Sequence, residues 1–144
     1  MKALIGPLIL LLGACTPQDV GPASGKARFS VFPEALFEAV RASCAGPGQD
    51  FRLPSPNTAE CRELMSPPVT AAFILDYGGT TEALPRMVIR FSAERNAPGY
   101  LVRNDIYIDI PQKAGAPRQV PFVDAELRRR LDAFYLSAGG VPEP

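Results

Sequence analysis

Residues 86–110 read RMVIRFSAERNAPGYLVRNDIYIDI, and the reading of this stretch decides the fold. Two runs, Arg86–Glu94 and Tyr100–Ile110, alternate apolar and polar side chains, with Asn-Ala-Pro-Gly between them. A period of two marks a strand with one buried face, and the intervening residues supply turn chemistry, so the stretch predicts an antiparallel hairpin. Met87, Ile89, Phe91 and Ala93 share one side of the first strand, opposite Arg86, Val88, Arg90 and Ser92. Val102, Ile106, Ile108 and Ile110 share one side of the second, with Asn104 as the polar exception among them. One face is expected to be core and the other largely wet.

Charge selects the register. Pairing Arg90 with Arg103 would set like charges opposite each other, which is destabilising. A shift of two residues, so that paired numbers sum to 195, sets Arg90 against Asp105 and Arg86 against Asp109. The same shift keeps Ile89 beside Ile106 and Met87 beside Ile108. This is the predicted register.

Working outward, VTAAFILDY (Val69–Tyr77) is an apolar run halted by Gly78-Gly79 and is predicted as a third strand. The meander would then have Val69–Tyr77 and Tyr100–Ile110 as its edges. The second edge is long and hydrophobic, to be covered by the Pro-rich 111–121 segment or offered to a partner strand. Before the sheet, a helix is expected from Pro33, a good first-turn residue, with Phe32, Leu36, Val40 and Cys44 in one buried stripe. A short helical turn fits Ala59–Met65, stopped by Pro67 and Pro68. After the sheet, a helix runs from an N-cap at Asp124 to Gly139. Leu127, Leu131, Phe134 and Ala138 share its buried face, with Tyr135 at the margin. The predicted architecture is α+β: a two-layer sandwich with an N-terminal helix, a three-stranded antiparallel meander and a C-terminal helix, both helices on one sheet face.

The N-terminus carries a different message. Lys2 precedes an apolar run, Ala3–Leu12. As a helix the run covers ~15 Å, half a bilayer's hydrocarbon core, so it is too short to span. A basic start, short apolar middle and small-residue ending describe a secretory signal. The ending Leu12-Gly13-Ala14-Cys15 resembles the lipobox of bacterial lipoproteins. That resemblance implies cleavage before Cys15, a diacylglyceryl group on its sulfur and acylation of the new amine. Two or three acyl chains hold a protein stably, at ~0.8 kcal/mol per buried methylene. Thr16, in place of the aspartate that retains many lipoproteins in the inner membrane, favours the outer membrane, facing the periplasm.

The expected organisation is a signal peptide over 1–14, a lipidated terminus and flexible tether over 15–28, one α+β domain over 29–138 and a tail over 139–144. With Cys15 committed to lipid, Cys44 and Cys61 remain as an even pair in an oxidising space, and a structural disulfide is expected. Closing a loop of that length contributes ~3 kcal/mol in the chain-entropy model.

Composition narrows the function. Of 144 residues, 15 are basic and 15 acidic, so there is no basic footprint for nucleic acid. Histidine is absent, which removes the usual metal ligand and the usual neutral-pH acid/base together. No metal site and no cofactor are expected. Asp76, Asp105 and Asp109 are accounted for by cross-strand ion pairing with Arg86 and Arg90. A serine nucleophile would need Lys26 or Lys113 as its base, one in the tether and one in a Pro/Gly-rich loop, and neither position is rigid. The leading expectation is a non-catalytic envelope lipoprotein that binds another protein. A carrier or sensor of a small or lipidic ligand between sheet and helices comes second, and a hydrolase third. Candidate partner-binding residues are Tyr100 and Tyr107 on the second strand, and Arg128 and Arg129 on the last helix.

Overall fold

The computed structural model describes residues 25–122 and 124–144. The lipobox-like ending at Cys15 and the expected tether, up to residue 24, lie outside the described residues. The chain folds as β1 (Gly25–Phe29), α1 (Glu34–Ser43), β2 (Gln49–Ser55), β3 (Thr58–Leu64) and α2 (Pro67–Tyr77). It continues as β4 (Arg86–Arg95), β5 (Tyr100–Ile110), β6 (Arg118–Pro121), α3 (Ala125–Ser137) and β7 (Val141–Glu143). The class is α+β, with three helices and one seven-stranded antiparallel sheet.

The hairpin adopts the register that charge selects: Arg90 faces Asp105, Arg86 faces Asp109, Ile89 faces Ile106 and Met87 faces Ile108. Its turn needs glycine at position 99, where φ is 91° and a Cβ would collide with the Phe29 carbonyl. The hairpin is not flanked as expected, however. The sheet runs β2-β3-β4-β5-β1-β7, with β6 also on β5. Tyr100–Ile110 is therefore an interior strand. Along one side it pairs with β4, and along the other with β1 over Tyr100–Asn104 and with β6 over Tyr107–Ile110. The Pro-rich segment covers half of what would have been an edge, and the residues before the first helix cover the rest.

Three further expectations are corrected. Val69–Tyr77 is helix, not strand: Ser66 stands at the N-cap, prolines fill the first two turn positions, and Gly78 closes the helix at φ 69°. An apolar run without period is ambiguous between helix and strand, and here the punctuation at its two ends wins. Residues 59–65 form most of β3 rather than a helical turn, pairing on both sides with β2 and β4. Residues 25–28 and 141–143, expected in the tether and the tail, are strand: they belong to β1 and β7, and β1 pairs with β5 on one side and β7 on the other.

Two faces result. Phe91, Ala93, Val102 and Ile106 point to the side where Leu36, Phe37 and Val40 of α1 and Leu131 and Tyr135 of α3 close the core. Both of these helices lie on that one face. Cys44 at the end of α1 is bonded to Cys61 of β3, with 5.7 Å between their Cα atoms, so the helix is stapled to the sheet. Tyr135 is not marginal: it is 0% exposed and packs edge-on against Phe29 and Phe91. Its hydroxyl donates to Oδ1 of Asn104 at 3.1 Å. The bond gives the carbonyl oxygen of the one polar residue on the apolar side its partner, while Nδ2 of Asn104 is buried with none among the described residues.

Candidate docking cleft

The cleft lies between α1 and α3, over β3 and β4. α1 is only ten residues long and the disulfide holds its end at β3. The N-terminal half of α3 crosses toward Met87, held in place by its cap: the Asp124 carboxylate accepts from the Glu126 and Leu127 amides at 2.8 and 3.0 Å. These bonds, with no burial of the group, hold the Asp124 carboxyl below its ordinary value of 3.8.

Between the helices lies an open space of about 300 Å³. Its floor is Cys61, Ile89 and Phe91 from the strands, and its walls are Val40, Leu127 and Phe134 from the helices. Glu63 and Arg130 stand among its polar members. A second recess beside Met87 and Phe122 shares Leu127 and Arg130 with it. Beneath, the core is filled: Tyr135, Leu36, Ile108 and Val102 are fully buried. The space is thus a surface cleft and not an enclosed chamber, with a volume at the bottom of the range of small-ligand pockets. An apolar centre within a charged rim is the anatomy of a protein-binding surface.

The candidate partner-binding residues are scattered by the fold. Arg128 and Arg129 are exposed on α3 but do not line the cleft; the neighbouring Arg130 does, while bonded to Glu126. Tyr100 is half-buried near the hairpin turn, edge-on to Phe32. Tyr107 is 6% exposed, on the opposite sheet face, with the Arg90 guanidinium 5.3 Å from its ring. The phenol has little surface to offer a partner. Burial, with Glu60 and Asp109 nearby, pushes its pKa up against the opposing pull of Arg90 and Arg62. Leu127, Phe134 and Ile89 line the cleft without having been singled out in the sequence. Their apolar periodicity placed them in the core, yet all three are only half-buried and line an open space.

The carboxylates find different partners from those expected. Asp109 binds Arg62, not its ladder neighbour Arg86. Arg90 donates from Nε to Glu60 at 2.6 Å, not to Asp105, and Arg62 also approaches Glu60 at 3.5 Å. Among the described residues no three His, Cys, Asp or Glu side chains are arranged to hold a metal ion. No helix among them is long and apolar enough to cross a membrane.

Comparison with known proteins finds no matching family model, no similar characterised protein and no similar solved structure.

Proposed function

We propose that this chain is an envelope lipoprotein, anchored by acyl chains on Cys15, whose folded domain is a non-catalytic accessory subunit that binds another protein in the α1–α3 cleft. The observation that carries the reading is the cleft itself: apolar floor, charged rim and a filled core beneath it. The occupant is a segment of an envelope protein that inserts an apolar side chain against Ile89 and Leu127. It offers carboxylates to the α3 arginines, of which Arg128 and Arg129 have no ion-pair partner among the described residues. The Cys44–Cys61 disulfide is compatible with the oxidising side of a membrane, as the lipobox requires. Thr16 at the position after the cysteine points to the outer membrane.

A photo-crosslinking residue at Arg130, in intact cells, tests the reading against one at Asp105 on the opposite face. One dominant envelope protein should be captured from position 130 and not from 105, and Leu127→Glu should reduce the capture. No adduct at 130 in a chain that is normally acylated would overturn the docking site. A small molecule retained by the purified protein in native mass spectrometry would move the cleft to the ligand-carrier reading instead.

A further inference from the structure

α2 is the helix that the core does not explain. Thr70, Phe73, Ile74 and Tyr77, spaced three and four apart, turn toward the domain and are buried or half-buried. A helix with one such stripe normally presents polar residues on its other side. Here the other side is Pro68, Ala71, Ala72 and Leu75, at the same spacing, and all four are exposed, Leu75 by 82%. Val69, 43% exposed in the first turn, adds to the apolar surface. The one charge within α2 is Asp76. An exposed stripe of this kind needs an occupant.

Where the anchor joins the fold identifies it. β1 begins at Gly25 opposite Asn104 and runs to Phe29 opposite Tyr100, so its N-terminal end faces the end of the sheet at which β5 finishes. α2 sits at that same end: Gly79 bridges to Gln112, and Arg118, paired with Ile110, holds its guanidinium 5.0 Å from the Tyr77 ring. Gly25 is ten Cα steps from Cys15, a span of at most ~36 Å. From Asn104 to Ile110 along β5 is ~20 Å. An anchored chain can therefore set the α2 end on the membrane with length to spare and without reversing its direction. At the opposite end Val31, Leu53 and Val141 are exposed, on three separate segments, and none of them belongs to a helix. Lys113 and Arg118 are exposed beside α2, where cations suit anionic headgroups.

We infer that α2 is a membrane seat: its Pro68–Ala71–Ala72–Leu75 stripe lies in the interface of the bilayer that holds the acyl anchor, in a phospholipid surface with anionic headgroups. The inference rests on the lipoprotein reading of Cys15. It deepens that reading by orienting the domain, which would stand on α2 instead of swinging on a tether.

The protein contains no tryptophan, so one introduced indole is an unambiguous reporter. Leu75→Trp and, as control, Val31→Trp at the far end are prepared in the full acylated chain. Each is reconstituted into vesicles of equal parts phosphatidylcholine and phosphatidylglycerol carrying brominated acyl chains. The indole at position 75 should shift to shorter wavelength and lose most of its emission, while that at position 31 stays unquenched. Lys113→Glu with Arg118→Glu should return much of the lost emission. A chain that floats with the vesicles but shows equal quenching at both positions, or none at 75, overturns the seat and leaves the anchor standing. A mature chain that fails to float, with Cys15 unacylated by mass spectrometry, overturns the anchor and the seat with it.

Discussion

The two faces of the sheet are held by different physics. On the helix-covered face, Phe91, Val102, Leu36 and Tyr135 exclude water, and the single polar residue, Asn104, is buried with a tyrosine hydroxyl as its partner. On the open face, which α1 and α3 do not cover, the middle is equally dry: Val88 is fully buried and Glu60 is 3% exposed. There Val88 lies in the ladder between Arg62 and Tyr107. Around it Glu60, Arg62, Arg90 and Asp109 close into one ion-paired set. Long arginine stems can cover apolar surface while their heads stay charged, so side chains help to seal this sheet face. The covered face is tolerant of how its apolar volume is filled. The open face depends on every charge keeping its partner, because an unpaired buried charge is far costlier than a missing methylene.

Substitutions separate the two. Phe91→Ala opens a cavity beneath both helices and should cost about 3–5 kcal/mol in urea unfolding; a loss under 1 kcal/mol would mean that the helices simply collapse onto the sheet. Arg62→Ala on the open face strands Asp109 and half of the bonding of Glu60, and should cost about 3 kcal/mol. Adding Asp109→Asn should return part of that loss. If the double variant is no more stable than the single one, the face is sealed by the arginine stem and not by charge pairing. Tyr135→Phe keeps the ring and deletes the donor to Asn104, at an expected cost of about 1–3 kcal/mol, and a smaller value would mean that water or a rotated amide replaces it.

The smallest effect concerns pH. The folded Asp124 carboxyl sits below its ordinary value of 3.8, so the unfolded chain takes up a proton first as pH falls. Its contribution is complete above the ordinary value and is lost as pH drops through the depressed one. Asp124→Asn retains the cap and removes the titration. The melting temperatures of wild type and variant should therefore converge toward low pH, with the wild type's advantage confined to the range above its ordinary value. Parallel curves at all pH values would remove the cap from the acid response.

How much could be read in advance follows from the same contrast. β4, β5, α1 and α3 have simple apolar periods of two or near four, together with turn and cap residues, and their placement was legible to within a residue or two. The hairpin register was legible because like charges repel, although the ions it brought together then bonded diagonally, across three strands. β3 was not legible. Its alternation of Glu60 and Arg62 with Ala59 and Cys61 looks like a solvated pattern, and nothing local says that a charged side will be buried against Arg90 and Asp109. β2 carries Pro54 and an irregular register between Arg52 and Ser55, and so resembled a loop. β1, β6 and β7 have three to five residues each, too few for a period to emerge. Of the candidate site, the buried faces of α1 and α3 could be assigned beforehand, but not the gap between them, which depends on where the two helices sit on the sheet.

By itself the sequence determined the local elements whose signals are complete within a dozen residues: a hairpin and its register, two amphipathic helices, a cysteine pair, and the lipobox-like ending at Cys15. The tertiary structure alone decided the order of the strands, the burial of Tyr107 and Glu60, the opening of the cleft and the exposure of α2. The physical reason is that these are properties of neighbours. β5 became interior only when β1 and β6, weak strands by themselves, found unpaired backbone groups along its side. α2 became an exposed apolar helix only because the core was already full without it.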